Sequence, residues 1–246
     1  VLISSFGASF VKSVAEHLSV GNETPELNFR EDGYLFLSTG AGLRTLIGNQ
    51  QLQHQLGAGT LLMTPAELAE RFPWLNIADL AGGSFGPVNE GWIDPYSLLQ
   101  AFRRKARALG VTYLQDEVSG LDMAQGRVSA VKLRSGETLK CGAVVNCAGV
   151  NAWRIAAWIG LDLPVRPRKR FVYVFDCREE LTGVPLTIDP SGVWFRPEGA
   201  NFICGVSPEE GKALGFVNEV APHAELMNVA RKWAADIIAC SPMSIR

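Results

Sequence analysis

The 246 residues are 47% hydrophobic and carry 23 Lys and Arg against 25 Asp and Glu, for a formal net charge of −2. That is enough apolar material for one large domain or two smaller ones, and the mixed charges, with no basic patch, argue against nucleic acid as a partner. Five cysteines without a Cys-x-x-Cys spacing and three scattered histidines argue against a disulfide framework and a metal site, and suit buried thiols in a reducing compartment.

Phe6, Phe10, Val14 and Leu18 recur at the spacing of one helix face, so residues 5–18 are expected to form an amphipathic helix. Residues 29–38 read as a strand, Gly40-Ala41-Gly42 as a turn, and residues 43–55 as a Gln-rich helix with a solvated face. After a short extended Leu61-Leu62-Met63, the sequence Thr64-Pro65-Ala66-Glu67 has the pattern of a capping box with proline at the first helical position. Residues 80–88 read as extended. Asp94-Pro95 should start a helix over 96–109 whose Arg103, Arg104, Lys105 and Arg107 form a solvated basic stripe, ended by Gly110.

From there a strand at 111–114, strands at 117–123 and 127–133 hinged at Gln125-Gly126, and a strand through Val144-Val145 are expected. The run Ala143–Asn146 reads as a buried parallel strand. It ends in Cys147-Ala148-Gly149, ahead of a helix over 152–159. Side chains this small permit either a tight strand-to-helix turn or the close approach of a ligand. Strands follow at 171–176, 193–196 and 202–206, the last two joined as a hairpin through Pro197–Asn201. No run reaches the length of a membrane-spanning helix, and no charged region precedes an apolar leader.

Several blocks, taken in order, make the chain resemble the FAD-dependent oxidoreductases of the D-amino-acid oxidase superfamily, which includes glycine oxidase, sarcosine oxidase and dimethylglycine dehydrogenase. They are Asp32–Leu37, Gly91-Trp92-Ile93-Asp94-Pro95, Gly110-Val111 through Asp116-Glu117-Val118, Val144–Gly149, Pro164-Val165-Arg166-Pro167 and Gly192–Gly199. Arg168–Val174 is similar to a branch that contains a mitochondrial oxidoreductase-domain protein and its bacterial relatives. The resemblance spans about Leu2 to Pro208. It implies a mixed α/β fold, part of a Rossmann-like FAD-binding domain at 1–22 and 91–163, and a substrate domain of mixed or antiparallel sheet with flanking helices at 23–90 and 164–208. A divergent tail follows at 209–246, with an amphipathic helix from Val220.

The family's G-x-G-x-x-G turn is absent from the sequence, as is its C-terminal glycine-rich block. With Val1 in place of an initiator methionine, the chain is expected to be an internal part of a longer enzyme. By resemblance, FAD is the cofactor, the backbone of Val118 faces its adenine, and Ala148 and Gly149 line its adenosine and pyrophosphate. Asn151 stands where relatives often have Trp. Phe195 matches an aromatic that lines the substrate pocket, with Arg196 on the opposite side of the strand. No catalytic residue and no metal ligand is assigned. The implied activity is hydride transfer from a small amine or N-methyl amino acid to flavin, in the cytoplasm or, in a eukaryote, the mitochondrial matrix. The alternative is a non-catalytic scaffold on the same fold, associated with respiratory-complex assembly.

Overall fold

The computed structural model describes residues 1–167, 170–206, 225 and 228. The expected tail at 209–246 lies outside the described residues, apart from Glu225 and Asn228.

The first helical stretch divides into α1 (Leu2–Lys12) and α2 (Val14–Leu18). Ser13 causes the break: its φ of −105° leaves the helical region, and its hydroxyl donates to the Ser9 carbonyl at 2.8 Å. Such back-bonding by serine bends helices. Strand β1 (Tyr34–Ser38) is shorter than expected, and Arg30 upstream of it pairs only with Trp92. Gly40-Ala41-Gly42 is not a turn but the opening of α3 (Gly40–Gln55). A Cβ on Gly42 would overlap the Ser38 hydroxyl, so glycine here lets the helix start against the strand it follows.

Strand β2 (Leu61–Met63) leads into α4 (Pro65–Arg71) through the expected capping box. The Thr64 N–H donates to Glu67 Oε2 at 2.7 Å, and the Glu67 N–H donates to Thr64 Oγ1 at 3.4 Å. Next come β3 (Gly82–Gly86) and α5 (Pro95–Ala108). Asp94 caps α5, accepting from the Tyr96 N–H at 2.9 Å and the Ser97 hydroxyl at 2.6 Å. The helix ends on Gly110 at φ 87°, where the Val111 N–H reaches Ala106 O and the Gly110 N–H reaches Arg107 O. Those two bonds define a Schellman motif.

Strands β4 (Val118–Ala124), β5 (Arg127–Leu133) and β6 (Thr138–Lys140) follow, then a 3-10 turn at Gly149–Asn151, α6 (Ala152–Ala157), and strands β7 (Phe171–Phe175), β8 (Leu186–Ile188), β9 (Trp194–Glu198) and β10 (Asn201–Val206). The chain forms two compact units. One comprises Val1–Ser19, Glu23–Leu99 and the chain from Arg170; the other comprises Val20–Asn22 and Gln100–Lys169. Residues 1–19 therefore group with the sheet rather than with residues 100–169. Lys12 of α1 gives the physical reason, bonding Glu31 at 2.6 Å and Asn89 at 2.7 Å.

The larger unit is built on a mixed seven-stranded sheet in the order β2-β3-β1-β8-β9-β10-β7. Only β1 and β8 are parallel; all other neighbours are antiparallel. The expected strands around 34–38 and 171–175 thus share one sheet. Leu35 and Leu37 point to one face, where they bury with Leu68, Phe72, Leu80 and Phe85. Register carries that face across the sheet through Leu35, Thr187, Phe195, Cys204 and Tyr173. Tyr34, Phe36 and Arg196 fall on the opposite face.

The smaller unit holds the antiparallel sheet β4-β5-β6. Its β4–β5 hairpin turns at Gln125 and Gly126, both at positive φ (52° and 75°), which matches the twist of the paired strands. Residues 111–114 were expected to be a strand and residues 143–146 a buried parallel strand; both are irregular. A strand requires hydrogen bonds to a neighbour, and no other strand pairs with either segment among the described residues. Val145 is 84% exposed, so the expectation of a buried strand there is corrected. Overall the protein is a mixed helix-and-sheet α/β structure.

Candidate functional site

Val118, Ala148 and Gly149 all belong to the smaller unit. Val118 opens β4 opposite Leu133, and the register shifts between Val118 and Gly120. A bulge at that point breaks the ladder beside Val118. The approach is braced on the surface by Arg134 and Glu117, paired at 2.7 Å. The Asp116 carboxyl is held below its ordinary range by bonds from Ser135 and from the Glu117 N–H.

The Cys147-Ala148-Gly149 step is organised by Asn146, which the sequence reading passed over. Its Oδ1 accepts from the Ala148 N–H at 3.3 Å, and its Nδ2 donates to the Ala152 carbonyl at 2.9 Å. The side chain therefore bridges from the end of the irregular segment to the first residue of α6. An Asx side chain two residues before an Ala-Gly step is the signal that could have found it. Gly149 sits at φ 54°, and a Cβ there would meet nothing within 4 Å. The space over the turn is open, with no side chain of the described residues against it.

These features fit the flank of a bound nucleotide: a glycine in the left-handed region, small neighbours, and room for another group to reach the backbone. The 246 residues contain no glycine fingerprint between a strand and a helix to hold a pyrophosphate.

Phe195 lies in the larger unit, on β9. Its ring meets Trp74 edge-on, with centroids 5.9 Å apart, and Trp74 packs against the buried cluster that contains Leu68 and Phe72. The pleat places Phe195 on the sheet face that carries Leu35 and Leu37. Arg196 takes the other face, with its guanidinium 5.1 Å from the Trp92 ring centroid, an ion pair to Glu198, and a 2.8 Å bond to the Pro197 carbonyl. Among the described residues no group of His, Cys, Asp and Glu is arranged to hold a metal, and no helix is long and apolar enough to cross a membrane.

The family model for FAD dependent oxidoreductase (DAO) matches residues 8–243. The match runs past Pro208, which corrects the expectation that the family pattern stops there. FAD-dependent oxidoreductase domain-containing protein 1 of Xenopus laevis is 34% identical over 91% of this chain and 51% of its own length. The Bos taurus protein of the same name is 35% identical over 85% and 50%. Mitochondrial sarcosine dehydrogenase of Mus musculus is 28% identical over 58% of this chain and 16% of its own length. The chain thus spans about half the length of these two FAD-dependent oxidoreductase domain-containing protein 1 relatives. Among solved structures, L-proline dehydrogenase from P. horikoshii superposes with a TM-score of 0.68 at 22% identity, covering 95% of this chain and 61% of its own. Glycine oxidase from Geobacillus kaustophilus gives 0.68 at 23% identity, covering 83% and 54%. By the family match and these relatives, the chain belongs to the DAO family of FAD-dependent oxidoreductases, whose cofactor is FAD.

Proposed function

We propose that the whole protein oxidises a small amine or N-methyl amino acid with FAD. The family match over residues 8–243 carries the reading, and the sarcosine dehydrogenase similarity supports the substrate class. FAD would supply the two-electron acceptor chemistry. The protein's part is to bind and to orient. Val118 offers backbone polar groups to the adenine at the bulge of β4. Ala148 and the open Gly149 let the adenosine side approach, and Asn146 fixes that turn. Binding of the pyrophosphate is assigned to sequence beyond these 246 residues. On the sheet, the substrate side is assigned to the face that carries Arg196, whose guanidinium suits a substrate carboxylate. Phe195 is assigned to packing against Trp74. The mitochondrial matrix is the proposed location if the protein is eukaryotic, after the mitochondrial relatives.

The test joins flavin binding to flavin reduction. The 246-residue chain alone should bind FAD weakly in a fluorescence titration; stoichiometric yellow protein would contradict the assignment of the pyrophosphate site. In the whole protein, anaerobic mixing with sarcosine or a related amine should bleach the flavin absorbance. Arg196→Ala should raise the amine concentration needed for half-maximal reduction, while Phe195→Ala should lower the melting temperature and leave that concentration unchanged. An intact, flavin-loaded protein that no amine reduces would favour the non-catalytic scaffold.

A further inference from the structure

A groove of about 350 Å³ lies within the larger unit, between α1 and the segment from Asn89 to Ile93. Its walls include Gly7 and Ala8 of α1 together with Phe29, Tyr34, Glu90 and Trp92. Among the described residues, the Glu90 carboxylate is the only charged side chain in the lining. It is half-buried, and no hydrogen bond or ion pair reaches it among the described residues. Burial alone pushes its pKa up.

The site is built rather than incidental. Gly86 leaves room for the carboxyl, since a Cβ there would overlap it. The backbone on both sides of Glu90 is pinned: the Gly33 N–H donates to Glu90 O at 3.1 Å, and Arg30 and Trp92 exchange N–H···O bonds at 2.9 and 3.1 Å. Gly91 is required there because a Cβ would overlap the Arg30 carbonyl. Two basic side chains that contact groove residues have partners of their own. Lys12 is held by Glu31 and Asn89, and Arg196 by Glu198 and the Trp92 ring. Among the described residues that line the groove, Glu90 thus brings one negative charge without a hydrogen bond or ion pair, beside aromatic walls.

A half-buried carboxylate without a partner is costly. An ammonium with apolar substituents would relieve that cost, placing its charge against the carboxylate and its carbons against the aromatic side chains of Phe29, Tyr34 and Trp92. We propose that this groove binds a small organic ammonium, with Glu90 as its counter-ion. The binding does not depend on flavin or on the proposed oxidation, so it can fail or hold separately from them.

The test is calorimetric titration of the protein, without flavin, using choline chloride and its neutral isostere 3,3-dimethylbutan-1-ol at matched ionic strength. Choline should bind, and the alcohol should bind at least fivefold more weakly. Glu90→Gln should weaken choline at least fivefold and erase the preference over the alcohol. Gly7→Leu fills open space on α1, where a Cβ meets nothing within 4 Å, and should abolish binding of both ligands without lowering the melting temperature. The proposal is overturned if the folded wild type gives no choline heat, if the alcohol binds as well as choline, or if Glu90→Gln binds choline unchanged. Should Gly7→Leu fail to fold, the Glu90→Gln comparison decides alone.

Discussion

Two short runs, each readable as a strand, end differently. Tyr34-Leu35-Phe36-Leu37 forms the centre of β1, with β3 on one side and β8 on the other. Ala143-Val144-Val145-Asn146 pairs with no strand among the described residues and leaves Val145 84% exposed. Each run has residue types that favour strands, aromatic Tyr34 and Phe36 in one and β-branched Val144 and Val145 in the other. What separates them is partners. In the larger unit β1 has neighbouring strands and the side chain of Leu68 from α4; among the described residues of the smaller unit, no strand pairs with residues 143–146. Composition makes a segment competent to be a strand, and pairing decides whether it becomes one.

The largest effect that could break this comparison comes from truncating one side chain in each run. Leu35 is fully buried in the cluster with Leu37, Leu68 and Phe85. Leu35→Ala removes that packing and leaves a cavity, at a cost of about 2–5 kcal/mol. Val145→Ala should change stability by no more than about 0.5 kcal/mol, as exposed positions do. Urea unfolding of both variants checks the pair. A Val145→Ala cost near that of Leu35→Ala would mean that residues 143–146 are buried in solution and that the contrast is false.

What the sequence made legible was local chemistry. Thr64 and Glu67 announced a capping box, Asp94-Pro95 a helix start, Gly110 a helix end, and Gln125-Gly126 a hairpin turn, and each forms as read. In every case the interacting groups lie within a few residues, so spacing alone specifies the geometry. The failures needed information from afar. Gly42 looked like a turn residue because the sequence does not show the Ser38 hydroxyl that it must clear. Residues 143–146 looked like a strand because a pattern cannot reveal a missing neighbour. Phe195 and Arg196 fall on opposite faces as expected, but the ring that Phe195 packs against, Trp74, lies more than a hundred positions upstream. The Glu90 groove was illegible for the same reason, since α1, Phe29, Tyr34 and residues 89–93 meet only in the fold.

A smaller effect sharpens the comparison from the well-paired side. The capping box couples α4 to the end of β2, and α4 supplies Leu68 to the core over β1. Thr64→Ala removes the acceptor for the Glu67 N–H and should cost about 1 kcal/mol. Thr64→Ser keeps the hydroxyl and should restore most of it. Bonds from the Thr64 backbone and side chain hold the Glu67 carboxyl below its ordinary pKa. The stabilisation is therefore present above about 4.5 and is lost as pH falls through the lowered folded value. The gap between wild type and Thr64→Ala should narrow in acid; a gap that is constant with pH would remove the carboxylate from the account.

The smallest effect has the opposite sign, and it comes from Glu90. Burial raises this carboxyl above its ordinary pKa of 4.5, so ionisation at neutral pH works against the folded state. As pH falls, the folded protein takes up the proton first. Its stability relative to the unfolded chain then rises through the raised value, and the gain is complete below 4.5. Glu90→Gln keeps the shape and removes the charge. The variant should be more stable than wild type at pH 7, by no more than about 0.5 kcal/mol, and the difference should vanish in acid. Carboxyls with lowered values, such as Glu67 and Asp94, titrate alike in both proteins and cancel from the difference. Paired thermal melts across the acid range measure it. A Gln variant that is less stable at pH 7 would show that the charge of Glu90 is already neutralised within the fold, and the groove would lose the unbalanced charge that marks it as a cation site.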